Sequence, residues 1–335
     1  MKSPSTTTET HWAILAGLRF FLAAIVVLGH FSLFIRPDPY RIFGDGYLNP
    51  LSAVFGFFIL SGYSIAASLD RESAGFCRRR VLRIWPLYLA AIAFGLAIFS
   101  LSPTGFAWPV APQIASVPDV LQIVASLLML QTIISPPIAT IGPIWSISGE
   151  WWHYMIAPAL NRLSNKILLV WMAASFVLFI HLHEPGPGIG CIGCFPDAIP
   201  VAALSWVWLT GFVYYRLRGT ASGFTVLFAP ALFALTIQHS PGVPMFITAF
   251  VLILSESRRG FSKRAIASLN FLGDWSYPLY LFHFPSFLVA LTFGSNRSAI
   301  TLGSAFLVSL IALYAVDYPA RRIFRKKRAA TAPAT

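Results

Sequence analysis

The stretch WAILAGLRFFLAAIVVLGHFSLFI, residues 12–35, decides how the chain is read. A helix crossing a bilayer core about 30 Å thick needs about 20 mostly apolar residues, and this run is longer. A secretory leader has an apolar core of only about 7–15 residues, so the run reads as a retained first span. Two of its residues are out of character, Arg19 and His30. An ionisable group inside the bilayer costs roughly 2.5–3.5 kcal/mol on insertion scales and marks function by default. A snorkelling arginine and a hydrogen-bonded core histidine are the bland alternatives. The spacing weighs against them. Eleven residues at about 100° and about 1.5 Å each turn through about 1100° and rise about 16 Å, so both side chains lie on one stripe at different depths.

The rest of the chain has the same character. Apolar residues make up 57% and charged ones 11%, with a mean hydropathy of +0.71. Soluble domains carry about 25% charged residues, so polar surface is too scarce for a water-soluble globule. Ten apolar segments read as crossings: 12–35, 51–69, 83–101, 144–160, 167–182, 198–215, 223–238, 243–256, 275–293 and 299–317. The net charge of +12 suggests nucleic acid until its placement is considered. The basic residues sit in short runs between apolar segments, which is the positive-inside pattern of a membrane protein. With loops 70–82, 161–166, 216–221, 257–270 and 318–335 on the cytoplasmic side, 20 of 24 Lys and Arg lie inside and three outside. Arg19 is the remaining one, and both termini become cytoplasmic.

Parity then assigns the apolar run 119–134. An odd number of crossings must lie between residues 118 and 161, so 119–134 is expected to be a re-entrant or interfacial helix on the outer side. Pro136-Pro137 and Gly142-Pro143 break the chain before the next crossing. Non-helical backbone at that depth is tolerable only when buried in protein or lining a cavity. The expected fold is therefore all-α and polytopic, with about ten transmembrane helices plus this one, as a single integral membrane domain over 1–335. No internal repeat is visible, which weakens analogy with inverted-repeat transporters.

Further polar residues fall within or beside the spans. Glu150, in Trp145-Ser146-Ile147-Ser148-Gly149-Glu150, is expected at a depth similar to His30 and is the obvious partner for it, since a buried carboxylate needs one. An aromatic belt whose glutamate reaches water is the bland reading. His283 lies mid-span and on its own is a helix-packing hydrogen-bonder. Arg78, Arg79, Arg80 and Arg83 are ordinarily a topology anchor, and equally suit a phosphate-rich ligand arriving from the cytoplasm. Cys77 lies on the reducing side. Cys191 and Cys194 form a CxxC near His181 and His183, outside any βαβ context, and read as a loop disulfide or inert thiols rather than a metal site. No metal is expected.

The order of these motifs resembles the acyltransferase-3 family of integral membrane O-acyltransferases. Leu18-Arg19, ten residues, and His30-Phe31 are similar to its first-span signature. Phe57-Phe58-Ile59-Leu60-Ser61-Gly62-Tyr63 resembles its second-span motif, and Arg79-Arg80 with Arg83-Ile84-Trp85-Pro86-Leu87-Tyr88 its basic stretch. Trp145 to Glu150, and Ser276-Tyr277-Pro278-Leu279-Tyr280-Leu281-Phe282-His283, resemble its two later motifs. The resemblance implies transfer of an acyl group, usually acetyl from acetyl-CoA, to a hydroxyl of a sugar or similar acceptor. Surface polysaccharide, O-antigen and lipid-linked glycans are typical acceptors, and a bacterial cytoplasmic membrane the setting. Some members of that family carry an esterase-like soluble domain after the last span; none is expected here.

On that resemblance Arg19, Arg79, Arg80 and Arg83 bind the donor, and His30 is the general base, suited to neutral pH by its ordinary pKa near 6.5. Glu150 orients it, as a carboxylate does for histidine in acyl-transfer sites. Ser61, Trp145, Tyr277 and His283 are further site candidates. An acyl-histidine and direct attack both fit, whereas the absence of a Gly-x-Ser-x-Gly elbow argues against a serine acyl-enzyme. The alternative is a non-catalytic transporter or flippase of lipid-linked glycans, with Arg19 and His30 binding substrate or relaying protons.

Overall fold

The first predicted span forms helix α1 (Glu9–Phe34), whose polar exceptions are met by neighbouring helices rather than by lipid. The computed structural model describes residues 9–40, 42–44, 46–102, 104–110, 114–182, 199–236, 242–257, 260–294 and 298–330. Within them the chain is all-α, with one short antiparallel pair, β1 (Phe106–Ala107) and β2 (Ile114–Ala115). Cys191, Cys194 and His183 lie outside the described residues.

The remaining helices are α2 (Pro50–Arg71), α3 (Phe76–Ala97), α4 (Val120–Leu127), α5 (Trp145–Leu160), α6 (Asn165–Leu182), α7 (Ile199–Ala203) and α8 (Ser205–Leu217). They are followed by α9 (Ala221–Thr236), α10 (Gly242–Ser257), α11 (Lys263–Thr292), α12 (Ser298–Ala312) and α13 (Tyr318–Ala330). The predicted crossings coincide with helical segments, that over 198–215 being divided between α7 and α8, and five helical segments are long and apolar enough to span a membrane: 9–34, 50–71, 76–100, 165–182 and 298–324. α9 and α10 are apolar but shorter. The most apolar window of α2 is 78% buried and that of α6 only 17%, so α2 is central and α6 peripheral. Val170, Val177, Leu232, Phe250 and Leu307 stand exposed on helix surfaces, where lipid is their natural neighbour. α2 begins with its Asn49 side chain accepting from the Ser52 N–H at 2.7 Å, a cap followed directly by Pro50.

Two close crossings organise the bundle. A Cβ at Gly62 would collide with the carbonyl oxygen of Trp208, and one at Gly211 with that of Ile59, so α2 and α8 meet backbone to backbone. Small residues permit such approach between membrane helices. α1 packs chiefly on α11, with Phe20 against Trp275, His30 against His283 and Phe31 against Phe287. That ascending register means α1 and α11 run parallel. α11 continues unbroken through Pro278 and Pro285.

Segments predicted to share the cytoplasmic face touch one another. Tyr215 donates to Asp70 at 2.9 Å, Arg216 to the Leu163 carbonyl at 3.0 Å and Tyr214 to Glu256 at 3.1 Å. Segments predicted outside also meet, through Val110 N–H to the Phe34 carbonyl at 3.2 Å and Arg36 to Ser298 at 3.2 Å.

The run 119–134 departs from expectation. Only Val120–Leu127 is helical, opened by a reciprocal capping box between Asp119 and Gln122. The chain then turns, with Met129 and Thr132 at positive φ of 58° and 69°, and reaches α5 through a short 3₁₀ segment, Ala139–Ile144. The irregular backbone is satisfied by side chains. The Met129 carbonyl accepts from Ser148 and Trp152, both at 2.8 Å, and buried Gln131 donates to the Ile144 carbonyl at 3.1 Å. Met129, Gln131, Thr132 and Ser135 of this turn are buried, while Leu128 and Ile134 on its other side are exposed.

Candidate active site

Two polar constellations lie along α1. The one nearer the α1 N-terminus, inner on the predicted topology, is a cavity of ≈ 140 Å³ whose wall includes Arg19 of α1, Ser61 and Ser64 of α2, Arg80 and Arg83 of α3, and Glu150 and Tyr154 of α5. One water needs about 10–15 Å³, so the space takes a small ligand group rather than a lone solvent molecule. Tyr277, Tyr280 and Arg321 complete its α11 and α13 side.

Charge there is unbalanced. Arg19 donates to Ser64 at 2.6 Å and Arg80 to Ser68 at 2.9 Å; among the described residues neither is ion-paired to a carboxylate. Glu150 is the cavity's acidic residue, and its carboxylate accepts from the Tyr154 hydroxyl. Tyr154 in turn accepts from Ser61 at 2.9 Å, and Ser61 from the Trp208 indole at 3.2 Å. This chain of donors fixes Glu150 facing the arginines. An interior rich in unneutralised guanidinium groups is costly, and an anionic ligand removes the cost.

The outer constellation is a histidine pair. His30 Nδ1 lies 2.9 Å from His283 Nε2, with the rings stacked at 13°. His283 Nδ1 faces the carbonyls of Tyr280 and Leu279 at 2.9 and 3.2 Å. Two acceptors leave Nδ1 only the donor role. Nε2 of the neutral ring is then a lone pair that accepts the His30 Nδ1–H. The same bookkeeping leaves His30 Nε2 with a lone pair of its own. Phe34, Phe284 and Trp108 cluster round this pair: Phe284 is 5.3 Å from His30, and Trp108, beside β1, is 4.6 Å from Phe284. Tyr280 joins the two constellations. It lines the inner cavity, its hydroxyl sits 2.6 Å from Ser146 Oγ and 2.9 Å from the Pro143 carbonyl, and its ring is 6.2 Å from that of His283.

The expected His30–Glu150 pairing is therefore corrected. Glu150 is committed to Tyr154 and faces the arginine cavity, and His30 takes His283 as its hydrogen-bond partner. Ser61 and Tyr277 do line the inner cavity, the latter donating to the Ile84 carbonyl at 3.3 Å. Trp145 stands outside that wall, packed against the core at the start of α5. Arg79 lies in a separate basic vestibule, paired to Glu72 at 3.2 Å. Tyr154, Tyr280, Trp108 and Arg321 carried no isolating signal, being ordinary residue types in aromatic or basic surroundings. Among the described residues, no group of three His, Cys, Asp or Glu is placed to hold a metal.

Comparison with known proteins converges on the same chemistry. A family model described as an acyltransferase domain, that of acyltransferase family 3, matches residues 12–318. The chain is also 29% identical over 323 residues to "Acyltransferase MdmB" of Streptomyces mycarofaciens, covering 81% of this chain and 77% of that protein. No solved structure shows a significant match. The span matched by the family model contains both constellations except for Arg321, and the chain belongs to the acyltransferase-3 family.

Proposed function

We propose that the protein is a membrane O-acyltransferase that moves an acyl group, acetyl from cytoplasmic acetyl-CoA, to a hydroxyl of a carbohydrate acceptor. A surface polysaccharide or lipid-linked glycan at a bacterial cytoplasmic membrane is the acceptor class. The observation that carries the reading is the relay from the Tyr280 carbonyl through His283 to His30, which leaves His30 Nε2 as a lone pair. A base with its second nitrogen oriented by a fixed acceptor is the arrangement that acyl transfer to an alcohol needs. His30 Nε2 takes the acceptor's proton as its oxygen forms a bond to the thioester carbonyl carbon. Collapse of the tetrahedral species breaks the carbon–sulfur bond, and the proton on His30 passes to the departing CoA sulfur.

Arg19, Arg80 and Arg83 hold the donor, and Glu150 sets their charge balance from the same cavity. Ten crossings with both termini cytoplasmic put the arginines on the CoA side and the histidines on the outer side. The relative from Streptomyces mycarofaciens, an acyltransferase by name, supports this over a flippase. Mass and NMR analysis of surface glycans should find O-acylation in cells with the protein and none with His30→Ala, at equal glycan amount. Reduced glycan with acylation intact would favour the transporter.

A further inference from the structure

The inner cavity and the basic vestibule of ≈ 750 Å³ share two wall residues, Arg83 and Arg321. Both are therefore at the neck between the surface and the buried arginines. Their situations differ. Arg83 has no carboxylate within ion-pair distance among the described residues, whereas Arg321 is held by two. One is Asp317, the fourth residue before it, at 2.5 Å and 4% exposed; the other is Asp274 of α11, 38% exposed and itself in the vestibule wall. A π-turn over Leu313–Asp317 leads directly into α13 and sets this register; such turns are frequent at functional sites.

The exposures separate the two carboxylates by role. Asp317 is interior and pairs with Arg321 Nη2, leaving Nη1 to Asp274. Asp274 faces the vestibule, where an arriving anion can reach the same guanidinium edge. Charge favours that exchange: the vestibule wall holds Arg78, Arg79, Arg83 and Arg321 against Glu72 and Asp274. Glu72 is spent on Arg79. A guanidinium offers five donors in a planar fork, enough to keep Asp317 while pairing a phosphate.

We infer that Arg321 is a donor-binding neck residue, and that Asp274 occupies the place on it that a phosphate of the acyl-CoA takes when the donor binds. This rests on the acyl-CoA reading above. The phosphate-bearing head stays in the vestibule between Arg83 and Arg321, and the thioester arm enters the inner cavity. Asp274 keeps the neck charge-balanced while no donor is present, and competes with the phosphate for Arg321.

The test uses full-length protein in lipid nanodiscs and measures dissociation constants for CoA, for 3′,5′-ADP (phosphates without the arm) and for pantetheine (arm without phosphates). Arg321→Gln should weaken CoA and 3′,5′-ADP in step, by roughly ten-fold or more if one charged contact is lost, and leave pantetheine unchanged. Arg321→Lys should recover part of the loss. Asp274→Asn should tighten CoA, a gain that damaged folding does not produce. Equal affinity of wild type and Arg321→Gln for CoA overturns the inference, as does a parallel loss for CoA and pantetheine. Wild-type protein that binds no CoA removes the donor assignment itself.

Discussion

His30 and His283 share one task between two helices, and their separation from Glu150 has measurable consequences. Removing a positioned general base costs about 10²–10⁴-fold; His30→Ala should lose at least that much acyl transfer, seen as label incorporated from radiolabelled acetyl-CoA. His283→Ala should lose less, because the base survives and only its orientation is gone. Glu150→Gln should instead lower the donor KM, since Glu150 faces Arg19 and Arg80 and competes with the donor for them; a fall in kcat as deep as that of His30→Ala, with donor KM unchanged, would return Glu150 to His30. Arg19 and His30 were legible in the sequence because charge in an apolar run is anomalous wherever the run folds. The partner of His30 was not. Similar depth cannot say which helix lies alongside, and α1 packs on α11 rather than on α5.

At the scale of helices, backbone proximity replaces charge as the deciding quantity. Gly62 and Gly211 leave no room for a methyl group between α2 and α8. Overpacking of this kind costs about 1–3 kcal/mol, so Gly62→Ala or Gly211→Ala should lower the apparent Tm in detergent and the purified yield. Gly303→Ala, with nothing within 4 Å, is the matched control and should change neither. A drop of equal size at all three positions would point to glycine content rather than to the crossing. The sequence marks Gly62 as part of a motif but not as a contact, because the Trp208 carbonyl it meets is 146 positions away. The run 119–134 failed as a long helix for a related reason. Its apolar composition suits a helix or a buried loop equally, and Ser148 and Trp152 can donate to the Met129 carbonyl of the loop only after α5 is in place.

For the whole molecule, the two faces implied by the charge count should be separable in intact cells. Tyr40→Cys, at a position 82% exposed, should react with a membrane-impermeant maleimide from outside. Arg322→Cys, exposed on α13, should react only after the membrane is opened. Labelling of both from one side would end the proposed topology. The sequence by itself determined the class of fold, the helical segments and the two anomalous residues on α1, because hydropathy and charge act locally and each segment carries its own record of them. The tertiary structure alone decided that the arginines gather with Glu150 round one cavity, that His30 is paired with His283, and that Arg321 stands at the neck. Those are contacts between residues up to 253 positions apart, set by which helix faces meet, and the period of a single helix contains no information about its neighbour.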